Sequence, residues 1–65
     1  MQATELRGWI VAVVTDQPDR VLPGGCPVFV GRNASERERI ATVLGKVLRA
    51  ATHDLGDGTW VLIRH

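Results

Sequence analysis

The chain has 65 residues, of which 45% are hydrophobic and 23% charged, and its formal net charge is +1. These values exclude a protein of several domains and a disordered acidic or basic tail, and the single cysteine excludes a fold held by internal disulfides. No apolar run approaches the roughly 18–20 residues that a membrane-spanning helix requires. We expect one small domain over residues 1–65, in the cytoplasm, since no secretory leader is visible.

The first regular element predicted along the chain is a strand over residues 8–15. This segment is rich in β-branched residues and lacks the helical spacing of polar positions. Simple alternation puts Trp9, Val11 and Val13 on one face and Ile10, Ala12 and Val14 on the other. Both faces are therefore apolar, and a strand of this kind is normally covered on both sides.

A second strand is predicted over residues 26–30, after two turn signals at residues 16–19 and 23–25. Between the turns, residues 20–22 are expected to form a short extended piece. Pro27 cannot donate a ladder hydrogen bond, so it should stand at the beginning of the strand or on an edge of the sheet.

An amphipathic helix follows, and it is the clearest pattern in the sequence. Ser35 and Glu38 have the spacing of a capping box, which predicts Ser35 as the residue that caps the helix N-terminus. The helix should end near Ala51 or Thr52. Its apolar positions recur at helical spacing and form one stripe: Ile40, Val43, Leu44, Val47, Leu48 and Ala51.

The last strand is predicted over residues 59–64, after a tight turn at Asp57 and Gly58. Residues 53–55 are either a short strand paired with it or the loop that leaves the helix. The predicted fold is therefore α+β, with one helix on one face of a three- or four-stranded sheet, in the order β-β-α-β or β-β-α-β-β. The second face of the sheet lacks a cover, which predicts that the chain forms a homo-oligomer, most simply a dimer.

The function predicted from this pattern is a small homo-oligomeric binding or regulatory module that acts through protein contacts and is not an enzyme. Six large apolar residues of the predicted strands are the candidates for its interface: Trp9, Val11, Val13, Phe29, Trp60 and Leu62.

Nucleic-acid binding is the first alternative. Arg39, Lys46 and Arg49 make a basic stripe on the polar side of the helix, and Arg32 precedes the helix. A solvated helix face explains the same stripe, since the net charge of +1 gives no general attraction to nucleic acid. Nucleic acid is therefore a partner that the sequence permits and does not favour.

A ligand-binding protein or minimal enzyme with a site between subunits is the second alternative. Cys26 follows two glycines, but a reactive thiol needs a neighbouring base, and the sequence does not place His53 beside it. One cysteine and two histidines at these separations also do not predict a metal site. We expect no cofactor.

Overall fold

The computed structural model describes residues 8–22 and 24–65, which form one four-stranded sheet and one helix. The strands are β1 (Trp9–Thr15), β2 (Val28–Val30), β3 (Ala51–Asp54) and β4 (Thr59–Arg64), and helix α1 (Ala34–Leu48) connects β2 to β3. The order in the sheet is β2-β1-β4-β3. β1 is parallel to β2 and antiparallel to β4, which is also antiparallel to β3. The four-stranded form of the predicted α+β fold is confirmed.

A bulge in β1 changes which side chains share a face. The pairing with β4 passes from Ile10 opposite Ile63 to Ala12 opposite Leu62, so β1 has one residue more than its partner at this point. Trp9 is opposite Arg64 and lies on the helix side with Ala12, whereas Ile10 and Val13 lie on the other side. The simple alternation predicted for this strand is therefore wrong.

The helix packs on the two central strands. The buried core consists of Ala12 and Val14 from β1, Leu62 from β4 and Ala41 from the helix. The two alanines are small, which lets the helix approach the sheet closely. Leu44 and Leu48 complete the inner face of the helix and are half-buried against the same cluster.

The helix begins two residues earlier than its capping box predicts. Asn33, not Ser35, is the N-cap residue, and its side-chain oxygen accepts a 2.8 Å hydrogen bond from the Glu36 backbone N–H. The Glu36 carboxylate in turn accepts a 2.7 Å bond from the backbone N–H of Arg32. Asparagine and serine can both accept a hydrogen bond from a free backbone N–H at a helix N-terminus. With Asn33 as the cap, the helix begins two residues earlier than with Ser35.

The helix also ends earlier than predicted, at Leu48. Arg49 takes the left-handed conformation, with φ of 54°, and the backbone N–H of Ala50 donates to the Gly45 carbonyl at 2.9 Å. The Arg64 guanidinium donates two hydrogen bonds, of 3.0 and 2.8 Å, to the Leu48 carbonyl. Because these contacts terminate the helix, Ala51 lies in β3 and not on the apolar stripe.

The loops agree with the sequence in part. Residues Pro18–Arg20 form a short 3-10 turn that overlaps the turn predicted at 16–19 and includes Arg20, whereas Val21 is extended as the sequence predicted. Pro23 of the second predicted turn lies outside the described residues. β2 is shorter than predicted and begins just after Pro27, on an edge of the sheet as Pro27 requires. The final hairpin is confirmed. Of the two conformations left open for residues 53–55, His53 and Asp54 take the strand, which spans Ala51–Asp54 and pairs with β4.

The second face of the sheet is partly covered by the chain itself. Val13, Thr15 and Thr59 on this face are buried, and the two threonine hydroxyls are 2.9 Å apart. From the sequence we predicted that nothing in the chain covers this face. The burial of these three residues shows that part of it is covered.

The position of the N-cap gives a direct test of the helix boundary. Asn33→Ala should lower the free energy of unfolding by about 1 kcal/mol, because it leaves a backbone N–H of the first turn without its side-chain acceptor. Ser35→Ala should change it by less than about 0.5 kcal/mol, since Ser35 is an exposed residue inside the helix. Urea unfolding of both variants measures the difference, and a larger effect at Ser35 would restore the boundary predicted from sequence.

Candidate protein-contact surface

The six predicted interface residues separate into three groups in the structure. Leu62 is fully buried and Val13 is 6% exposed, so this fold does not offer either side chain to a partner. Val11 and Trp60 are half-buried against the core. Trp9 and Phe29 remain as the exposed candidates.

Two helix residues that the sequence assigned to the apolar stripe are exposed. Val43 and Val47 stand two positions before and after Gly45, which places them about 200° around the helix from it. Gly45 faces β3, because a Cβ at this position would lie 3.0 Å from the Thr52 side chain. Val47 therefore lies on the flank of the helix away from β3, and Val43, about 200° around the helix from the buried Ala41, faces away from the sheet.

Trp9 and Phe29 lie on the helix side of the sheet, in the two strands farther from β3. Trp9 is opposite Arg64, whose side chain reaches the end of the helix, and Phe29 is paired with the core residue Val14. We call the set Trp9, Phe29, Val43 and Val47 the edge patch. The exposed fractions are 72% for Trp9, 37% for Phe29, 53% for Val43 and 70% for Val47.

The four edge-patch residues together expose roughly 450 Å² of surface. Exposed apolar surface of a few hundred Å² is often a binding site where it is contiguous. A standard protein interface buries about 800 Å² on each partner, a little over half of it apolar, so the edge patch has the area of one interface core.

The two outer strands of the sheet differ in chemistry. β2, beside the edge patch, is Val28-Phe29-Val30, and two of its three residues are exposed. β3, at the other edge, is exposed throughout and has the polar residues Thr52, His53 and Asp54. Charged and polar side chains keep a free sheet edge in water, whereas apolar side chains favour association. The β2 side is therefore the candidate contact surface.

The four predicted basic residues are all exposed, but they do not form one cluster. Arg39, Lys46 and Arg49 lie along the outer side of the helix and at its end, and Arg32 precedes its N-terminus. Arg32 and Arg49 are thus separated by about 24 Å, the length of the helix. Nucleic-acid binding through them stays a prediction.

The residues of the enzyme hypothesis are far apart. Cys26 precedes β2 and His53 lies in β3, and these strands form the two opposite edges of the sheet. Three strand spacings separate them, about 14 Å, which is too far for a base to act on a thiol. In the part of the chain that the structure describes, no group of three His, Cys, Asp or Glu residues could hold a metal ion.

A cleft of about 240 Å³ lies between the helix N-terminus and the β3–β4 turn, beside Trp60. Arg37 lines it, but its guanidinium already donates to the Gly31 carbonyl at 3.1 Å and lies 3.7 Å from the Asp16 carboxylate. Asp54 accepts a hydrogen bond from the Gly56 backbone N–H. These contacts hold the loops together, so we interpret the cleft as a structural feature.

Sequence reasoning missed the helix part of the edge patch, although a signal was present. The apolar stripe is wider than one packing face needs, since Ile40, Val43 and Val47 extend it well beyond the Leu44–Leu48 row. The side chain that packs most deeply is Ala41, which the stripe did not include. When a small residue lies beside a wide apolar stripe, the helix can turn that small residue toward the sheet. The apolar residues on the other side of the stripe are then exposed to solvent.

The fold is that of a small α+β domain with one helix on a four-stranded mixed sheet. Residues 7–65 match the sequence model of the family described as "Capping complex subunit for YIEGIA", and the chain belongs to this family. The description indicates a binding role. No curated protein and no solved structure matches the chain. In residues 8–22 and 24–65, no helix has the length and apolar character needed to cross a membrane.

Truncation of one buried and one exposed residue tests these assignments. Leu62→Ala should lower the free energy of unfolding by about 3 kcal/mol, because it opens a cavity in the core. Val47→Ala should change it by less than about 0.5 kcal/mol, since the side chain is mostly exposed. Chemical unfolding of the isolated chain measures both values. Equal losses for the two variants would show that the helix packs in a different rotation.

Proposed function

We propose that this chain is a protein-contact subunit of a capping complex for YIEGIA, and that it binds its partner through the edge patch. The observation that carries the proposal is the exposed apolar side of the helix and sheet at Trp9, Phe29, Val43 and Val47. The family description supports it, since it names a complex in which members of the family are subunits.

The geometry of the fold supports the same surface. A helix with its side chains is about 10–12 Å wide, and strands are about 4.8 Å apart, so one helix covers about two strands. Here the helix packs mainly on β1 and β4 and also reaches β3 at Thr52, whereas β2 lies mostly beyond it. β3 is polar and β2 is apolar. A second protein layer on the β2 side would cover the apolar strand that the helix leaves open.

Charge supports a partner surface that is also apolar. None of the four edge-patch residues is charged, although Arg39 and Lys46 are one helical turn from Val43 and Arg64 is opposite Trp9. Depletion of charge is the feature that distinguishes the core of an interface from the rest of a protein surface. We propose that the partner contributes aliphatic or aromatic side chains here.

The sequence favoured a second copy of this chain as the cover. The family description names a complex and favours a different protein, so we propose a heteromeric contact as the main one. The homodimer is the alternative, and the solution mass of the chain alone distinguishes the two. A regulatory role and a cytoplasmic location stay predictions.

A charge in the patch tests the proposal. Val47→Glu should weaken binding to co-expressed YIEGIA protein at least tenfold, because the carboxylate would lose its water inside an apolar contact. Leu22→Glu is the matched control, since Leu22 is 86% exposed, equally apolar and outside the patch. Titration of the purified proteins gives both dissociation constants. Equal weakening by the two variants, or none by either, would show that the edge patch is not the contact surface.

The solution mass of the chain alone identifies the kind of partner. We expect one chain per particle by size exclusion with light scattering at two concentrations, because the main partner is a different protein. A mass of two chains that Val47→Glu reduces to one would instead identify a second copy as the occupant of the edge patch.

A further inference from the structure

β1 has a free edge beside the edge patch. β2 pairs only with the second half of β1, from Val13 to Thr15, and the first ladder bond runs from the Val13 backbone N–H to the Pro27 carbonyl at 3.1 Å. Among the described residues, no strand lies against the outer side of Trp9–Ala12. We call this open stretch of β1 the notch.

We infer that the notch accepts an extended segment of the partner protein as an added strand. This inference rests on the proposed function and names how the partner binds. An unpaired strand edge presents backbone N–H and C=O groups that an incoming extended peptide can satisfy, and this gives affinity without a deep pocket. The notch has room for about four residues, or about 13 Å of strand.

The side chains around the notch indicate the chemistry of the segment. Trp9 and Val11 lie on the helix side, with Val47 on the flank above, and Ile10 lies on the other face. An added strand would therefore meet apolar side chains on both faces. Apart from its bulge, this stretch of β1 has none of the devices that protect free edges, neither a charged side chain nor a proline. The segment that fits is short, uncharged and rich in β-branched or aromatic residues.

The other free edge of the sheet lacks these properties. β3 is exposed on its outer side as well, but it contains His53 and Asp54, and Thr52 packs toward the helix at Gly45. A polar strand of this kind is typical of an edge that stays in water. β3 therefore serves as an internal control for the notch.

The shape of the notch favours a different protein over a second copy. Suppose that Trp9–Ala12 of two copies paired antiparallel about a two-fold axis. The β2 strand of the second copy would then occupy the space where the chain of the first copy precedes Trp9. Gly8 occupies that space. A Cβ on Gly8 would lie 2.7 Å from the Arg64 carbonyl oxygen, so the backbone is held closely against β4 there. A single short segment avoids this conflict.

Hydrogen exchange of the purified complex with YIEGIA protein tests the inference. The outward-facing backbone amides among Trp9–Ala12 should exchange at least tenfold more slowly in the complex than in the chain alone, because they gain partners in the added strand, whereas those that face β4 should change little. The amides of Ala51–Asp54 on the other edge should not change. Ile10→Lys should weaken binding at least fivefold and Val30→Lys less than twofold, although both residues are more than half exposed on the same face.

The outcomes separate this inference from the proposed function. A complex that Val47→Glu weakens, but in which the outward-facing amides of Trp9–Ala12 exchange as in the free chain, would overturn strand addition and leave the edge patch as the contact. Absence of any complex would overturn both. Protection of these outward-facing amides in the chain alone, together with a mass of two chains, would show that a second copy occupies the notch.

Discussion

The structure depends on one geometrical constraint, which is that a single helix has to cover a sheet of four strands. The helix is wide enough for the two central strands, and the core of Ala12, Val14, Ala41 and Leu62 lies between them and the helix. Outside that contact, the residue types of the two outer strands decide how much apolar surface the chain exposes. Polar residues on β3 tolerate water, whereas apolar residues on β2 and the flank of the helix do not. The proposed partner contact lies at the strand that the helix leaves most open, which is β2.

The sequence predicted the elements well because each has a local cause. Continuous β-branched runs without helical spacing predicted β1 and β4, helical spacing predicted α1, and Asp57-Gly58 predicted the last turn. The helix boundaries were wrong at both ends, because non-local and competing contacts decide them. At the C-terminus of the helix, the Arg64 side chain donates to the Leu48 carbonyl from sixteen residues away. The sequence around Leu48 contains no pattern that predicts this contact.

The contact surface was only partly predictable. Trp9 and Phe29 could be named from their size and position in strands, but the bulge in β1 and the rotation of the helix could not be read from alternation or periodicity. Both depend on packing in three dimensions. For that reason Leu62 and Val13 looked like surface residues in the sequence and are buried in the structure, while Val47 was assigned to the core and is exposed.

The central claim is that Trp9 is exposed in the free chain and becomes buried in the complex. Fluorotryptophan incorporated into Trp60→Phe protein leaves Trp9 as the one labelled indole, since the chain has two tryptophans. Fluorine NMR then reports its solvent contact without interference from the partner. We predict a solvent isotope shift typical of an exposed indole for the chain alone, and loss of that shift when YIEGIA protein is added. A Trp9 signal already protected in the free chain, or unchanged in the complex, would contradict the account.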